Sequence, residues 1–315
     1  MPPTEPSQEY FATRPFRRYL AATRPPFLLA ALVATLIGIG TADYSGETIN
    51  AWTAVLTLLG ATLVHAGINV FNDYYDALNG TDTINTERLY PFTGGSRFIQ
   101  NGVLSLRETL DFALVLFGLS VLIGITLMLL TGWSLLWVGL AGLLIGWTYS
   151  APPLALNSRG LGELSVALGF GLLMPLGADM VQRHAFDVLP LLAGLPYALL
   201  TANLLYINQF PDRQADEVAG KHHWVVRLGA DRARWGYLTL AAGAYLTLML
   251  EIVMGQLPVW ASLGLLPLPL SMFAAMDLVK FASTPEHLAR AIRLTITAAL
   301  SHGALLSLGL AIAAP

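Results

Sequence analysis

The chain has 315 residues, of which 55% are hydrophobic and 12% charged, and its formal net charge is −3. A soluble domain carries about 25% charged residues and needs them to cover its surface, so the composition excludes an ordinary cytosolic enzyme and a disordered chain. The absence of cysteine excludes disulfides, thiolate metal sites and a cysteine nucleophile, and the charge gives no basis for binding nucleic acid.

What remains is a polytopic membrane protein. Residues 1–13 are polar and hold no apolar core, so no signal peptide is expected. Residues 14–23 alternate Arg14, Arg17 and Arg18 with Phe16, Tyr19 and Leu20, as an interfacial segment does. Nine apolar runs follow, at roughly 27–44, 52–72, 109–130, 133–151, 161–182, 188–208, 235–254, 259–279 and 288–312. Each approaches the ~20 residues that a helix needs to cross the hydrocarbon core. The first run starts behind Arg24-Pro25-Pro26, and proline suits a first helical turn because its missing N–H is no loss there. Glycines 142, 146, 169 and 171 stand at small-residue spacings that predict close helix packing.

The cations orient these spans, because cytoplasmic loops retain Lys and Arg. With a cytoplasmic N-terminus and nine spans, 16 of the 17 Lys and Arg fall inside, and only Arg183 is left outside. Fifteen of the 20 acids gather on the same side. The long inside loops, roughly 80–108 and 210–234, are therefore where a site is expected. The predicted fold is all-α: about nine transmembrane helices around a central cavity open to the cytoplasmic side. It forms one domain with two related halves, about 15–155 and 156–313, in the inner (cytoplasmic) membrane.

Two polar clusters stand out. Near the inner end of span two the chain reads Asn72-Asp73-Tyr74-Tyr75-Asp76-Ala-Leu-Asn79-Gly80-Thr-Asp82. Near the inner end of span six it reads Asn208-Gln-Phe-Pro211-Asp212-Arg213-Gln-Ala-Asp216. Both contain Asn-x-x-x-Asp, and steps of four share one helical face. The offset of 136 residues is a weak internal symmetry, as in two helical blocks facing a shared cavity. Carboxylates at a membrane boundary must be solvated, paired or bound to a cation. Two such faces meeting across a cavity would hold hard divalent cations, and Mg²⁺ prefers a few carboxylates plus phosphate oxygens. Each face is followed by a basic loop: Arg88 and Arg97 around Thr93-Gly94-Gly95-Ser96, then Lys221-His222-His223. Arg forks, a Lys charge and a glycine turn are partners for phosphate oxygens. The pattern reads as a di-metal diphosphate clamp.

At these residues the chain resembles the UbiA superfamily of intramembrane prenyltransferases, whose two aspartate-rich motifs are similar to Asn72-Asp73-x-x-Asp76 and Asp212-x-x-x-Asp216. The likeness extends from Arg24-Pro25 across both motifs and the segment Tyr149-Ser150-Ala-Pro152-Pro153…Gly160-Leu-Gly162-Glu163. That segment, Gly80 followed by Asp82, and Asp216-x-x-x-Gly220-Lys221 are similar to the branch that prenylates 1,4-dihydroxy-2-naphthoate in menaquinone synthesis. Gln209-Phe210-Pro211 and His222-His223-Trp224 depart from that pattern.

The resemblance implies Mg²⁺-dependent transfer of a prenyl group from a polyprenyl diphosphate to an aromatic acceptor. Asp73, Asp76, Asp212 and Asp216 would hold two Mg²⁺ bridged by the diphosphate, with Asn72 and Asn208 as oxygen ligands or orienters. Arg88, Arg97 and Lys221 would grip the phosphates, Tyr74, Tyr75 and Tyr149 are candidates to face the carbocation, and Glu163 would orient the acceptor or act as base. His65 and Asn69 are expected to line the substrate pocket. No obligate protein partner is read from the sequence. The alternatives are another acceptor within the superfamily, such as 4-hydroxybenzoate, a lipid or a secondary metabolite, and, more distantly, a secondary transporter. A transporter places its charges near the midplane, whereas these acids gather at one face.

Overall fold

The computed structural model describes residues 4–315, and the polar Met1–Pro3 lies outside them. Eight helices are long and apolar enough to cross a membrane: α1 (Pro25–Tyr44), α2 (Ala51–Leu78), α3 (Leu106–Thr131), α5 (Gly162–Arg183), α6 (Leu189–Val218), α7 (Ala230–Val253), α8 (Val259–Phe281) and α9 (Ala289–Ile312). The run expected as a fourth span forms a shorter apolar helix, α4 (Leu135–Ser150), of 16 residues. At 1.5 Å per residue it is roughly 24 Å long. It nevertheless runs from one end of the bundle to the other. It follows the far end of α3 and finishes where Ser150 Oγ accepts a hydrogen bond from Asn72 Nδ2 at 3.1 Å.

Local sequence sets the helix ends. Arg24 stands in a left-handed conformation (φ 56°) ahead of Pro25 and Pro26, which open α1 without losing a hydrogen bond. The Asn50 side chain caps α2 by accepting from Trp52 N and Thr53 N. Ser105 and Glu108 form a reciprocal capping box at α3. Two helices outrun their apolar sequence. The span expected to end at 72 continues to Leu78, and the one expected to end at 208 continues to Val218. At roughly 42 and 45 Å they exceed a ~30 Å hydrocarbon core, so their last turns carry both Asp motifs beyond it.

Backbones approach closely where α1, α5 and α6 meet. A side chain at Gly38 would strike the backbone of Pro175, one at Gly171 the backbone of Ala198, and one at Gly194 the carbonyl of Gly171. Glycine there lets backbones approach as membrane helices require. Of the four glycines expected to serve packing, Gly171 does so, and Gly146 lies against Ile68. Gly142 and Gly169 instead border open space and line a cavity.

The end of the bundle opposite the Asp motifs carries its own polar lock. Fully buried Asp179 accepts from Thr41 Oγ1 at 2.8 Å and from Arg183 Nε at 2.7 Å, while Arg183 Nη2 donates to Ser45 Oγ at 2.9 Å. Gln182 ties Asn50 N (2.8 Å) to Thr53 Oγ1 (3.1 Å). Arg183, set apart from the other cations by the charge pattern, is thus consumed by α1 and α5. His302 donates to or accepts no charged group; its Nδ1 meets the Gly264 carbonyl at 2.7 Å inside the core.

Gly194→Val is expected to lower stability by about 3 kcal/mol, the upper range for overpacking against backbone that cannot yield. Thermal unfolding in detergent, compared with Gly142→Val at an open position, checks this.

Candidate active site

The C-terminal turns of α2 and α6 face one another across a gap that a loop lysine bridges. Lys221, three residues beyond the end of α6 at Val218, reaches between them: its Nζ is 2.8 Å from Asp76 Oδ1 and 3.2 Å from Asp216 Oδ1. The second oxygen of Asp216 meets His223 Nε2 at 2.9 Å. Asp212, one turn earlier on α6, accepts from Asn85 Nδ2 at 2.6 Å and from Gly94 N at 3.3 Å. Asp73 pairs with the Arg24 guanidinium and accepts from Ser96 N at 3.3 Å. All of these aspartates except Asp212 are under a tenth exposed, and Lys221 and His223 are buried as well.

The loop between α2 and α3 closes this polar end. A short helix, Thr81–Ile84, places Asp82 almost fully buried against the glycine turn. Gly94 and Gly95 both adopt positive φ (77° and 74°), and a side chain on Gly95 would strike the Asp82 carboxylate. Only glycine brings the turn this close. Five carboxylates (Asp73, Asp76, Asp82, Asp212 and Asp216) therefore face two cations, Arg24 and Lys221, in a buried setting.

That imbalance shows in the protonation behaviour. Burial pushes the Asp82 carboxyl up to about 6, reinforced by the Asp76 charge and opposed by Arg24 and Lys221. Burial alone would lower the Lys221 ammonium, but Asp76 and Asp216 outweigh it and hold its pKa above the usual lysine value. The Lys221 contribution to stability is thus present at neutral pH and lost only under strongly alkaline conditions.

From this polar end a cavity of about 610 Å³ runs into the bundle. Arg24, Asp76, Asp82, Asp212, Asp216, Lys221 and His223 form its floor, and Asn69, Asn72, Tyr149, Asn208, Gln209 and His65 its middle. Leu127, Met128, Leu135 and Val181 line the apolar remainder between α3, α4 and α5. The donors at the floor are hard oxygens, and Asn208 Oδ1 is buried without a hydrogen-bond partner. Excess buried carboxylate with amide oxygens and no sulfur is a donor set that fits Mg²⁺. Among the described residues no three acidic or His side chains converge on one point; Lys221 bridges Asp76 and Asp216 instead.

The structure places Asn72, Asp76, Asp212, Asp216, Asn208, Lys221, Tyr149, His65 and Asn69 around one cavity. It places Asp73 behind that wall, bound to Arg24, and Glu163 behind Gln209, whose Nε2 donates to it at 2.8 Å. Arg88 and Arg97 do not line the cavity. Glu5 engages both, at 2.6 Å and 3.8 Å, and Arg97 also donates to the Asp82 carbonyl. Tyr75 packs edge-on against Phe71 in the core of α2 and α3. Sequence reasoning missed Arg24, Asp82, Asn85, Gln209 and His223 as site residues. Arg24-Pro25 opens the first span and begins the family likeness, but the sequence pattern assigns Arg24 no role at the site; its left-handed conformation ahead of Pro25 accompanies its pairing with Asp73 on α2.

Asp82→Asn is expected to raise the melting temperature in Mg²⁺-free detergent at pH 8. A carboxyl whose folded pKa is raised destabilises once it ionises, so the gain should shrink toward zero as pH falls through 6 to 4. A pH series of thermal melts checks both sign and window.

The UbiA prenyltransferase family profile matches residues 28–309. The chain is 30% identical over 260 residues to 1,4-dihydroxy-2-naphthoate octaprenyltransferase of Mycobacterium tuberculosis, covering 82% of this chain and 85% of that protein. It is 30% identical over 258 residues to the enzyme of the same name from Escherichia coli, covering 80% and 82%. Its fold matches a UbiA homolog from Archaeoglobus fulgidus bound to GPP and Mg²⁺, with a TM-score of 0.63 at 18% identity over 94% of this chain and 99% of that one.

Proposed function

The chain belongs to the UbiA prenyltransferase family, and from that premise we propose that it transfers a polyprenyl group to 1,4-dihydroxy-2-naphthoate in menaquinone synthesis. The supporting observation is the junction of α2 and α6, where Asp76 and Asp216 share Lys221 at the polar end of a cavity that is apolar beyond. This arrangement suits a substrate with a multiply charged head and a long hydrocarbon tail. The naphthoate acceptor is supported by the names of the relatives above.

In this reading Asp76, Asp82, Asp212 and Asp216, with the amide oxygens of Asn72 and Asn208, would hold two Mg²⁺ ions. Bound there, Mg²⁺ supplies charge neutralisation for the departing diphosphate. Lys221 turns from its two aspartates to the phosphate oxygens, and Arg24 supports the same head group from the opening of α1. Asp73 keeps Arg24 aimed at the floor. Arg88 and Arg97 reach the phosphates only by leaving Glu5.

The allylic C–O bond breaks with its electron pair going to the diphosphate. The resulting cation needs a dry cavity and aromatic faces, which Tyr149 and the apolar wall provide. The acceptor ring then forms the new C–C bond and loses the proton from that carbon; a naphthoate acceptor also releases its carboxylate as CO₂, and the ring carbon that keeps the electron pair takes up a proton. The loops carrying the two motifs lie on the cytoplasmic side of the inner membrane in this reading, where 16 of the 17 cations gather.

Purified protein in detergent with Mg²⁺ and a polyprenyl diphosphate is expected to prenylate 1,4-dihydroxy-2-naphthoate, and EDTA should abolish turnover. Transfer to 4-hydroxybenzoate but not to the naphthoate overturns the acceptor assignment. Asp76→Ala and Asp212→Ala should each lower kcat/KM by about 10²-fold or more, the scale of losing electrostatic stabilisation of a leaving group; full activity in either contradicts the clamp.

A further inference from the structure

We propose that Gln209 reads a hydroxyl of the aromatic acceptor, with Glu163 fixing the direction in which its amide points. The inference rests on the reading above that the cavity takes a hydroxylated aromatic ring. Gln209 lines the cavity at 6% exposure, and its Nε2 donates to Glu163 Oε1 at 2.8 Å. A carboxylate only accepts hydrogen bonds, so the amide nitrogen must face Glu163 and the amide oxygen must face away. That oxygen, Gln209 Oε1, is buried with no partner, and so is the second oxygen of Glu163. Buried polar atoms without partners are few in folded proteins and call for an explanation. The amide nitrogen keeps a second N–H, but the two atoms left without any partner, Gln209 Oε1 and Glu163 Oε2, are both acceptors, and their complement is a ligand group that donates.

The position fits the chemistry. Gln209, Asp212 and Asp216 follow the i, i+3, i+7 spacing of one α6 face. Gln209 thus stands one turn deeper in the cavity than Asp212, about 5 Å along the helix axis. A ring anchored there would sit beside the carbon that leaves the diphosphate. The start of α5 and Tyr149 close the same wall, since a side chain on Gly162 would meet Tyr149 and Leu205. A phenolic O–H donating to Gln209 Oε1 leaves electron density on the ring oxygen, which activates the ring for attack. The Glu163 charge keeps an acceptor carboxylate away from this wall, so the pair selects the ring's orientation as well as its hydroxyl.

The test pairs protein and substrate changes. Prenyl transfer by wild type and Gln209→Met, which keeps the length and removes the acceptor oxygen, is measured with 1,4-dihydroxy-2-naphthoate and its two mono-O-methyl ethers. Wild type should lose about tenfold or more in kcat/KM when one particular hydroxyl is methylated, the scale of one hydrogen bond. Gln209→Met should show that loss against the free acceptor and no further loss on methylation, with the KM for prenyl diphosphate within twofold of wild type. Glu163→Gln, which lets the amide face either way, should reduce the discrimination between the ethers and leave the prenyl diphosphate KM in place, which keeps the test open if Gln209→Met folds poorly. An identical methylation penalty in wild type and both variants, or a parallel rise in both KM values, overturns the assignment. If wild type prenylates no hydroxylated aromatic at all, the functional reading itself fails; prenylation with an unchanged penalty overturns the Gln209 role alone.

Discussion

Carboxylates buried at the end of an apolar bundle are the constraint that shapes this molecule. Ionised Asp is costly away from water unless paired, and the α2–α6 junction gathers five with only two cations to meet them. Lys221 partly resolves the problem by bridging Asp76 and Asp216, which also ties the two helix ends together. Arg24 takes Asp73 and so fixes the start of α1 against α2. Asn85 and the Gly94 amide serve Asp212, which folds the α2–α3 loop over the site. The remaining deficit is a standing preference for added positive charge, which the metal ions of the proposed function would meet.

The rest of the bundle divides into a part that is closed and a part that is left open. Around α1, α5, α6 and α9, glycines bring backbones into contact, and the Asp179–Arg183 pair locks the far end. Between α2, α3, α4 and α5, glycines such as Gly124, Gly139 and Gly142 border empty space instead. The same residue therefore serves packing on one side and room for an apolar chain on the other. Packing and cavity thus use different faces of shared helices: α5 borders both, and α6 carries Gly194 in the closed part and Asp212 and Asp216 at the site.

Most of the fold was legible in the sequence because hydropathy and cation placement are long-range patterns. The spans, the two Asp motifs and the shared cavity followed from run lengths and steps of four. What was not legible depended on contacts that no local spacing encodes. Arg88 and Arg97 belong to the basic loop that the sequence assigned to phosphate, yet Glu5, more than 80 residues earlier, holds them. Gly142 and Gly169 share the spacing of packing glycines, and only the placement of α4 and α5 turns them toward the cavity. Tyr75 lies beside Asp76 in the motif, but a helix sends neighbouring side chains in different directions, and its ring goes to Phe71. Gln209 departs from the family pattern, and its hydrogen bond to Glu163, 46 residues earlier, is a pairing that no local spacing encodes.

The most direct test of a shared α2–α6 clamp is binding of Mn²⁺, read by electron paramagnetic resonance, in the presence and absence of a non-hydrolysable prenyl diphosphate analogue. The expected result is tight Mn²⁺ binding that requires the analogue in wild type and is lost in both Asp76→Asn and Asp212→Asn, one change on each helix. Analogue-dependent Mn²⁺ binding that survives in either variant at wild-type affinity would contradict a site built jointly by the two helices.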